Sequence, residues 1–276
     1  MNTIYFGDNL PVLQSLPAGS VDLIYIDPPF NTGRRQARVR LRTERSVDGD
    51  RTGFGGQRYK TVRLGEQAFA DAFDDYQAFL APRLAEALRI LADDGSLYFH
   101  IDYREAAYCK LLLDGLFGRA SFLNEIIWAY DYGARTRRRW PAKHDTILVY
   151  VKDPDEYFFD GEEVDREPYM APGLVTAEKA ARGKLPTDVW WHTIVSPTGR
   201  EKTGYPTQKP EGIVRRMVSA STRRGDWCLD FFAGSGTLGA VAADLGRHYV
   251  LIDSNPEAVE IMRARLASTL RARASA

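Results

Sequence analysis

Short apolar runs alternate with segments of helical periodicity along most of this chain. Strand-like runs occupy residues 21–26, 96–101, 124–130, 146–151, 227–231 and 248–252. Helical periodicity, with apolar residues three or four positions apart, is found in residues 76–91, 106–117, 236–245 and 256–266. Strands that alternate with helices predict an α/β fold, in which a mostly parallel sheet carries helices on both faces.

Two segments interrupt this alternation. Residues 34–65 are polar and rich in Arg and Gly, which predicts a long, mobile, basic loop. Residues 153–203 are irregular and rich in Pro and Gly, which predicts an inserted lobe.

The first apolar run ends in the sequence Asp-Pro-Pro-Phe at residues 27–30. Two prolines directly after a strand fix the backbone and remove two amide donors. The Asp27 carboxylate and the Pro28 carbonyl can then accept both hydrogens of a planar amino group, and Phe30 offers a face for a stacked base. The motif therefore favours chemistry on an amino group, with a rigid strand-exit turn as the alternative.

A glycine-rich loop, Phe-Ala-Gly-Ser-Gly at residues 232–236, follows one strand and precedes a helix. It lacks the third spaced glycine of a dinucleotide fingerprint and the Gly-Lys-Ser/Thr of a phosphate loop. Asp253 ends the next strand, where an acid reaches the ribose hydroxyls of a nucleoside. Together these features predict a nucleoside cofactor without a pyrophosphate, and a purely structural turn is the alternative.

Charge is balanced over the 276 residues, with 37 basic and 37 acidic side chains, but it is segregated. Residues 34–63 hold nine Arg and one Lys against three acids, whereas residues 153–167 hold eight acids and one Arg. A second basic cluster contains Arg135, Arg137, Arg138, Arg139 and Lys143. A neutral total can thus hide a basic face suited to a polyanion, and solvated loops are the alternative.

Composition also excludes several classes of protein. Cys109 and Cys228 lie in apolar contexts and are expected to be buried, reduced thiols. No Cys/His cluster has the spacing of metal ligands, so no metal is expected. No apolar run approaches about 18 residues, and the N-terminus lacks the pattern of a signal peptide, so a cytosolic protein is expected.

With both motifs in place, the chain resembles the bacterial DNA amino-methyltransferases that use S-adenosylmethionine. The catalytic tetrapeptide precedes the cofactor loop, which is the order of the permuted β group. The resemblance covers nearly the whole chain. It implies one Rossmann-like, circularly permuted methyltransferase domain over residues 1–276, with a small target-recognition insert in residues 153–203.

The resemblance also implies roles for single residues. The catalytic tetrapeptide corresponds to Asp27, Pro28, Pro29 and Phe30. The implied cofactor-binding residues are Asp8, Thr207, Lys209, Phe232, Ala233, Gly234, Ser235, Gly236, Thr237 and Asp253. Asp8 would contact the cofactor adenine, and residues 205–210 would help to hold its methionine end.

Double-stranded DNA is the implied partner, and the target base must be flipped out of the duplex to reach the site. The implied DNA-binding residues are Arg34, Arg35, Arg135, Arg137, Arg138, Arg139 and Lys143. Many relatives are dimers, so a homodimer is expected, and a cognate restriction endonuclease is a further candidate partner.

Adenine N6 is favoured over cytosine N4 because Asp, rather than Ser, is commoner at the position of Asp27 in the adenine enzymes. Protein-glutamine and RNA methyltransferases usually have Asn first, in a motif that follows the cofactor loop. A DNA-binding module without activity would not require the intact tetrapeptide. A dinucleotide oxidoreductase is disfavoured by the missing third glycine.

Overall fold

The computed structural model describes residues 2–31, 34–45, 48, 51–52, 58–71, 73–133, 135–196 and 199–274. The chain forms two compact units, one of residues 1–28 and 77–276 and the other of residues 29–76. The segment 29–76 forms a unit of its own because its strands pair with one another.

Every strand and helix that the periodicity predicts is present. The strands are β1 (Thr3–Phe6), β2 (Val21–Ile26), β3 (Arg34–Arg45), β4 (Arg51–Thr52), β5 (Arg58–Asp71), β6 (Leu91–Ile101), β7 (Phe122–Ala129), β8 (His144–Val151), β9 (Val189–Trp191), β10 (Trp227–Asp230) and β11 (His248–Asp253). The helices are α1 (Asn9–Ser15), α2 (Tyr76–Ile90), α3 (Ala106–Phe117), α4 (Ala177–Arg182), α5 (Glu211–Ser221), α6 (Thr237–Leu245) and α7 (Pro256–Ala274).

The larger unit contains an eight-stranded sheet in the order β1-β11-β10-β2-β6-β8-β7-β9. The strands from β1 to β6 in that order run parallel, whereas β8 is antiparallel to both of its neighbours. Helices cover both faces, so the predicted Rossmann-like fold class is confirmed. The C-terminal ends of the parallel strands, the end of β7 and the start of β8 all lie at one edge, which we call the carboxyl edge.

The core lies between the sheet and helices α5, α6 and α7. Leu23 and Cys228 of the central strands are fully buried, as are Val214 and Leu238 of the helices. Each such apolar side chain stabilises the fold by about 1.5–3 kcal/mol. A Cβ at position 239 would lie 2.5 Å from Leu251 Cδ1 and would have to displace the end of that side chain, so glycine favours the close packing of α6 on β11.

The smaller unit is an antiparallel ladder of β3 and β5, with β4 at the outer side of β5. Pairing runs from Arg34 opposite Asp71 to Arg45 opposite Tyr59. The sequence-based prediction of a loop over residues 34–65 is therefore wrong for the strands in this range. Valine, threonine and leucine alternate there with arginine, which is the period-two pattern of a strand. The high Arg and Gly content of the segment instead favours a loop, and that composition led to the wrong prediction.

The segment 153–203 contains α4, β9 and a short 3₁₀ turn at Pro172–Leu174. Its acidic stretch is attached to α5, because Arg216 Nη2 lies 2.8 Å from an Asp165 oxygen and 2.9 Å from Glu167 Oε1. Part of the acidic run thus holds this segment against α5.

Both cysteines are buried and neither forms a disulfide, as predicted. Burial raises the pKa of the Cys109 thiol to about 12. Within the described part of the chain, no helix is both long enough and apolar enough to cross a membrane.

Candidate active site

Several aspartates lie at the carboxyl edge, and four of them adjoin strands β1, β2, β10 and β11. Asp8 follows β1, Asp27 follows β2, Asp230 ends β10 and Asp253 ends β11. In open α/β sheets this edge is where ligands bind. The contacts of the four side chains indicate a different role for each.

Asp27 is held by a lysine from a distant part of the chain. The Lys209 ammonium lies 2.7 Å from each Asp27 carboxylate oxygen, and the two side chains are 11% and 16% exposed, respectively. The resemblance implies a cofactor role for Lys209, whereas the structure brings it to the carboxylate of Asp27. Because charge-assisted hydrogen bonds of this length are strong, the pair fixes the orientation of Asp27.

The second half of the tetrapeptide belongs to the smaller unit. The Pro29 carbonyl accepts a hydrogen bond of 2.5 Å from the Tyr76 hydroxyl. Asn31 has a φ of 50°, and its side-chain oxygen accepts a hydrogen bond of 3.1 Å from the Phe73 amide. These bonds hold the half-buried Phe30 between two anchored neighbours along the chain.

The glycine loop adopts a conformation that glycine alone adopts readily. Gly234 and Gly236 have φ values of 50° and 70°. The Gly234 amide donates to Asp253 Oδ2 at 2.7 Å, and a Cβ on Gly234 would lie 3.0 Å from Tyr205 Cε1. The backbone here therefore requires glycine for its conformation and for the close approach of Tyr205.

The other predicted cofactor residues differ in exposure. Phe232 is half-buried, with its ring 6.1 Å from that of Phe79, and Ala233 is buried. Thr207 is exposed. Ser235 and Thr237 are buried, so their hydroxyl groups face the protein interior.

The hydroxyl groups of Ser235 and Thr237 accept hydrogen bonds from Arg265, a buried residue that the sequence analysis did not identify. Arg265 Nη1 donates to Thr237 Oγ1 at 3.0 Å and to the Ser235 carbonyl at 3.3 Å, while Nη2 donates to Glu211 Oε1 at 2.7 Å. Arg265 thus binds the glycine loop from the interior of the protein. Arg265 stands among many charged residues of α7, so no pattern in the sequence distinguishes it from a solvent-exposed arginine.

Asp230 is more deeply buried than Asp8, Asp27 and Asp253. Burial raises the pKa of Asp230 well above its ordinary value, and the charges of Asp27 and Asp253 add to this shift. Burial also raises the pKa of Asp253, against the opposing hydrogen bonds from the amides of Asn255 and Gly234. Desolvation of the Asp230 carboxylate and repulsion from its acidic neighbours thus shift its pKa in the same direction.

Asp8 is fixed from two sides. Its Oδ1 accepts a hydrogen bond from the Leu10 amide at 3.1 Å, which caps α1, and lies 3.0 Å from Arg83 Nη2. Arg83 Nε also donates to Asn9 Oδ1, and Asn9 Nδ2 donates to the Phe231 carbonyl at 2.7 Å. This chain of bonds connects Asp8 to the start of the glycine loop.

A buried polar network, also missed by sequence reasoning, lies at the carboxyl edge. His100 contacts the Tyr25 hydroxyl at 3.1 Å through Nδ1 and Asp145 Oδ2 at 3.2 Å through Nε2, and the Tyr130 hydroxyl donates to Asp145 Oδ1. Burial acts to raise the pKa of Asp145. The hydrogen bond from His100, together with the charges of His100 and Lys209, outweighs burial, so the pKa of Asp145 lies below its ordinary value. Asp145 therefore lies within electrostatic reach of Lys209, the residue that is paired with Asp27.

The second basic cluster lies in the segment between β7 and β8, which is at the carboxyl edge. Arg135, Arg137, Arg138 and Arg139 are all exposed. Lys143 is half-buried and lies 3.7 Å from Asp131. Arg34 and Arg35 are in β3, and their side chains lie outside what the structure describes.

Comparison with known proteins shows the family of this chain. The chain matches the family described as DNA methylase over residues 21–264. It is 32% identical over 272 residues to the DNA adenine methyltransferase YhdJ of Escherichia coli (strain K12), which covers 96% of this chain and 82% of that protein. It is 29% identical over 259 residues to the type II methyltransferase M.HpaI of Haemophilus parainfluenzae, which covers 94% and 72%. The chain belongs to the N6/N4 family of DNA methylases.

Two solved structures share the fold. The cytosine-N4-specific PvuII DNA methyltransferase aligns with a TM-score of 0.67 and 16% identity, over 96% of this chain and 86% of that one. M1.HpyAVI in complex with S-adenosylmethionine aligns with a TM-score of 0.61 and 22% identity, over 96% and 99%. These likenesses agree with the Rossmann-like architecture.

Proposed function

We propose that this protein transfers a methyl group from S-adenosylmethionine to the N6 amino group of adenine in double-stranded DNA. The observation that carries the proposal is the position of Asp27. Its carboxylate is clamped by Lys209 at the same sheet edge as the glycine loop and Asp253. Membership of the DNA methylase family supports the same reaction class.

The carboxyl edge fits a nucleoside cofactor. The glycines at 234 and 236 leave the loop backbone open to close approach. The Asp253 carboxylate accepts bonds from the Gly234 and Asn255 amides, and its remaining acceptor capacity suits a ribose hydroxyl. Asp8 is anchored yet largely exposed, which suits contact with an adenine amino group. When bound, S-adenosylmethionine supplies an activated methyl group.

The protein acts on the target amino group mainly by orientation. Asp27 accepts one amino hydrogen and the Pro28 carbonyl accepts the other, which draws the nitrogen lone pair out of conjugation with the ring. Since Lys209 already fixes Asp27, little orientational freedom is lost when the base arrives. Asp27 then accepts the proton that the methylated nitrogen releases. Phe30 provides the stacking face, a role that follows from its place in the motif.

Delivery of the base requires contacts with the duplex. A base within the stack cannot present its amino group, so the target must be flipped out. The exposed arginines of residues 135–139 lie at the edge where Asp27 lies, and they suit phosphate groups that flank the target. We assign target recognition in part to the segment 153–203.

Two observations favour adenine over cytosine. Asp27 is the residue type commoner in adenine enzymes, and the relative with 32% identity is named a DNA adenine methyltransferase. Methylation of cytosine N4 by the same mechanism is the second candidate, since the cytosine-N4-specific PvuII enzyme shares the fold.

Labelled methyl transfer tests the proposal directly. Purified protein, duplex DNA and S-adenosylmethionine with a labelled methyl group should yield labelled DNA, and nucleoside digestion should place the label in N6-methyladenine. Label in N4-methylcytosine would correct the base but retain the mechanism. Unlabelled DNA under conditions in which the cofactor binds would refute the proposal.

The type II relatives also support a partner nuclease, which we propose as a cognate restriction endonuclease. A homodimer is proposed on the family resemblance alone. Because the substrate is DNA, we place the protein in the bacterial cytoplasm.

Replacement of Lys209 by methionine should lower turnover about 10–100-fold, because Asp27 loses its clamp. The dissociation constant of S-adenosylmethionine should change little. Single-turnover rates and calorimetry of the same variant separate the two effects, and Lys209→Arg serves as the charge-retaining control. A large loss of cofactor affinity with normal turnover would instead support the role that the family resemblance implies.

Alanine in place of Arg137, Arg138 and Arg139 together should weaken duplex binding. If each arginine neutralises one phosphate, the log–log dependence of affinity on salt should become shallower by up to about 2.7, at about 0.9 per phosphate. Phosphate contacts carry no sequence information, so the loss should be equal on cognate and unrelated DNA. A salt titration of wild type and triple variant on both DNAs measures this.

Arg119→Ala is the matched control, since Arg119 is 88% exposed and precedes β7 at the opposite edge of the sheet. It should leave affinity and slope unchanged. A loss restricted to cognate DNA would mean that the arginines read bases, and unchanged binding by the triple variant would place the DNA elsewhere.

A further inference from the structure

Two tryptophans are exposed at the carboxyl edge. Trp140 lies in the segment between β7 and β8 and is 94% exposed, and Trp191 ends β9 and is 74% exposed. A tryptophan in this position leaves a large apolar surface in water. Tryptophan is enriched at binding surfaces, because its ring is largely apolar and its N–H group is polar.

Trp140 differs from Trp191 in its neighbours. Three consecutive exposed arginines, residues 137–139, directly precede it in the chain. Cations suit phosphates, and an aromatic face suits a base, so this combination fits a nucleic acid better than an apolar protein surface. The same segment begins at Tyr130, which bonds Asp145 of the network beside Lys209.

We propose that Trp140 enters the base stack of duplex DNA and occupies the space that the flipped target base leaves. This inference rests on the proposed function, because a gap arises only if a base is extruded. Extrusion removes two stacking contacts from the neighbouring base pairs, and an inserted apolar side chain restores part of them. The arginines beside Trp140 would hold the flanking phosphates and so direct the ring to that gap.

If Trp140 fills the gap, its removal should lower activity most on substrates in which flipping the target base is costly. Trp140→Ala should lower kcat/KM on a matched duplex roughly 10–100-fold. The loss should shrink to within about three-fold when the target base stands opposite an abasic position, since less stacking and pairing must then be broken. Trp140→Phe, which keeps an aromatic face, should retain most of the activity. The duplex carries the recognition sequence read from methylated host DNA.

A second measurement follows the base itself. With 2-aminopurine at the target position, wild type should raise its fluorescence on binding, and Trp140→Ala should reduce that rise. Leu111→Ala, which removes another exposed apolar side chain from the middle of α3, should match wild type in both assays.

The outcomes are distinguishable from failure of the proposed function, which would appear as no methylation by wild type on any substrate. Equal loss on both substrates would overturn the inference and make Trp140 a general DNA contact. Unchanged activity on the matched duplex, or a change only in oligomeric state, would also overturn it.

Discussion

Replacing Asp27 with alanine is expected to lower the rate of methyl transfer by about 10³-fold or more, because the target amino group loses the acceptor that orients it and takes its proton. Affinity for S-adenosylmethionine should change little, since the assigned cofactor contacts lie on the glycine loop, Asp253 and Asp8. Single-turnover assays with labelled methyl groups and calorimetry of cofactor binding measure the two quantities.

This variant also removes the Asp27 carboxylate from the Lys209 ammonium, whose side chain is only 11% exposed. Some loss of thermal stability is therefore expected. Asp27→Asn is the matched control, because it keeps the size and one acceptor oxygen while removing the charge. A folded Asp27→Ala protein with near-normal turnover would contradict the assignment of Asp27.

Replacing Gly234 with valine is expected to abolish cofactor binding. The φ of 50° disfavours any residue with a Cβ, and that atom would lie 3.0 Å from the Tyr205 ring before the two methyl groups are added. Cofactor affinity should fall by at least about 100-fold, because the backbone and Tyr205 must both move. Isothermal calorimetry measures the change.

Gly19→Val separates this effect from backbone strain alone. Gly19 has a φ of 63°, and a Cβ there would meet nothing within 4 Å. It should reduce thermal stability to a comparable extent without changing cofactor affinity. Unchanged affinity in a folded Gly234→Val protein would place the cofactor away from the loop.

The sequence predicts the parts of this fold whose signal is local. Val21–Ile26 and Trp227–Asp230 are apolar runs flanked by turns, and both are strands of the central sheet. Asp27 and the glycine loop follow those strands directly, so their common position at the carboxyl edge follows from parallel pairing.

What the sequence could not predict depends on contacts between distant residues. Lys209 lies 182 positions from Asp27, and no local pattern distinguishes a lysine that binds a cofactor from one that clamps a carboxylate. Arg265 and His100 are buried by neighbours from other elements, which sequence periodicity does not identify. The strands β3 and β5 were missed because their composition favours a loop, and cross-strand pairing overrides such preferences.

The most direct test of the central claim is modified-base sequencing of DNA from a bacterial host without adenine methylation that expresses this protein. Wild type is expected to place N6-methyladenine at every copy of one short sequence, and Asp27→Ala is expected to leave the same sites unmodified. DNA without methylated amino groups, from cells that contain folded wild-type protein able to bind S-adenosylmethionine, would contradict the account.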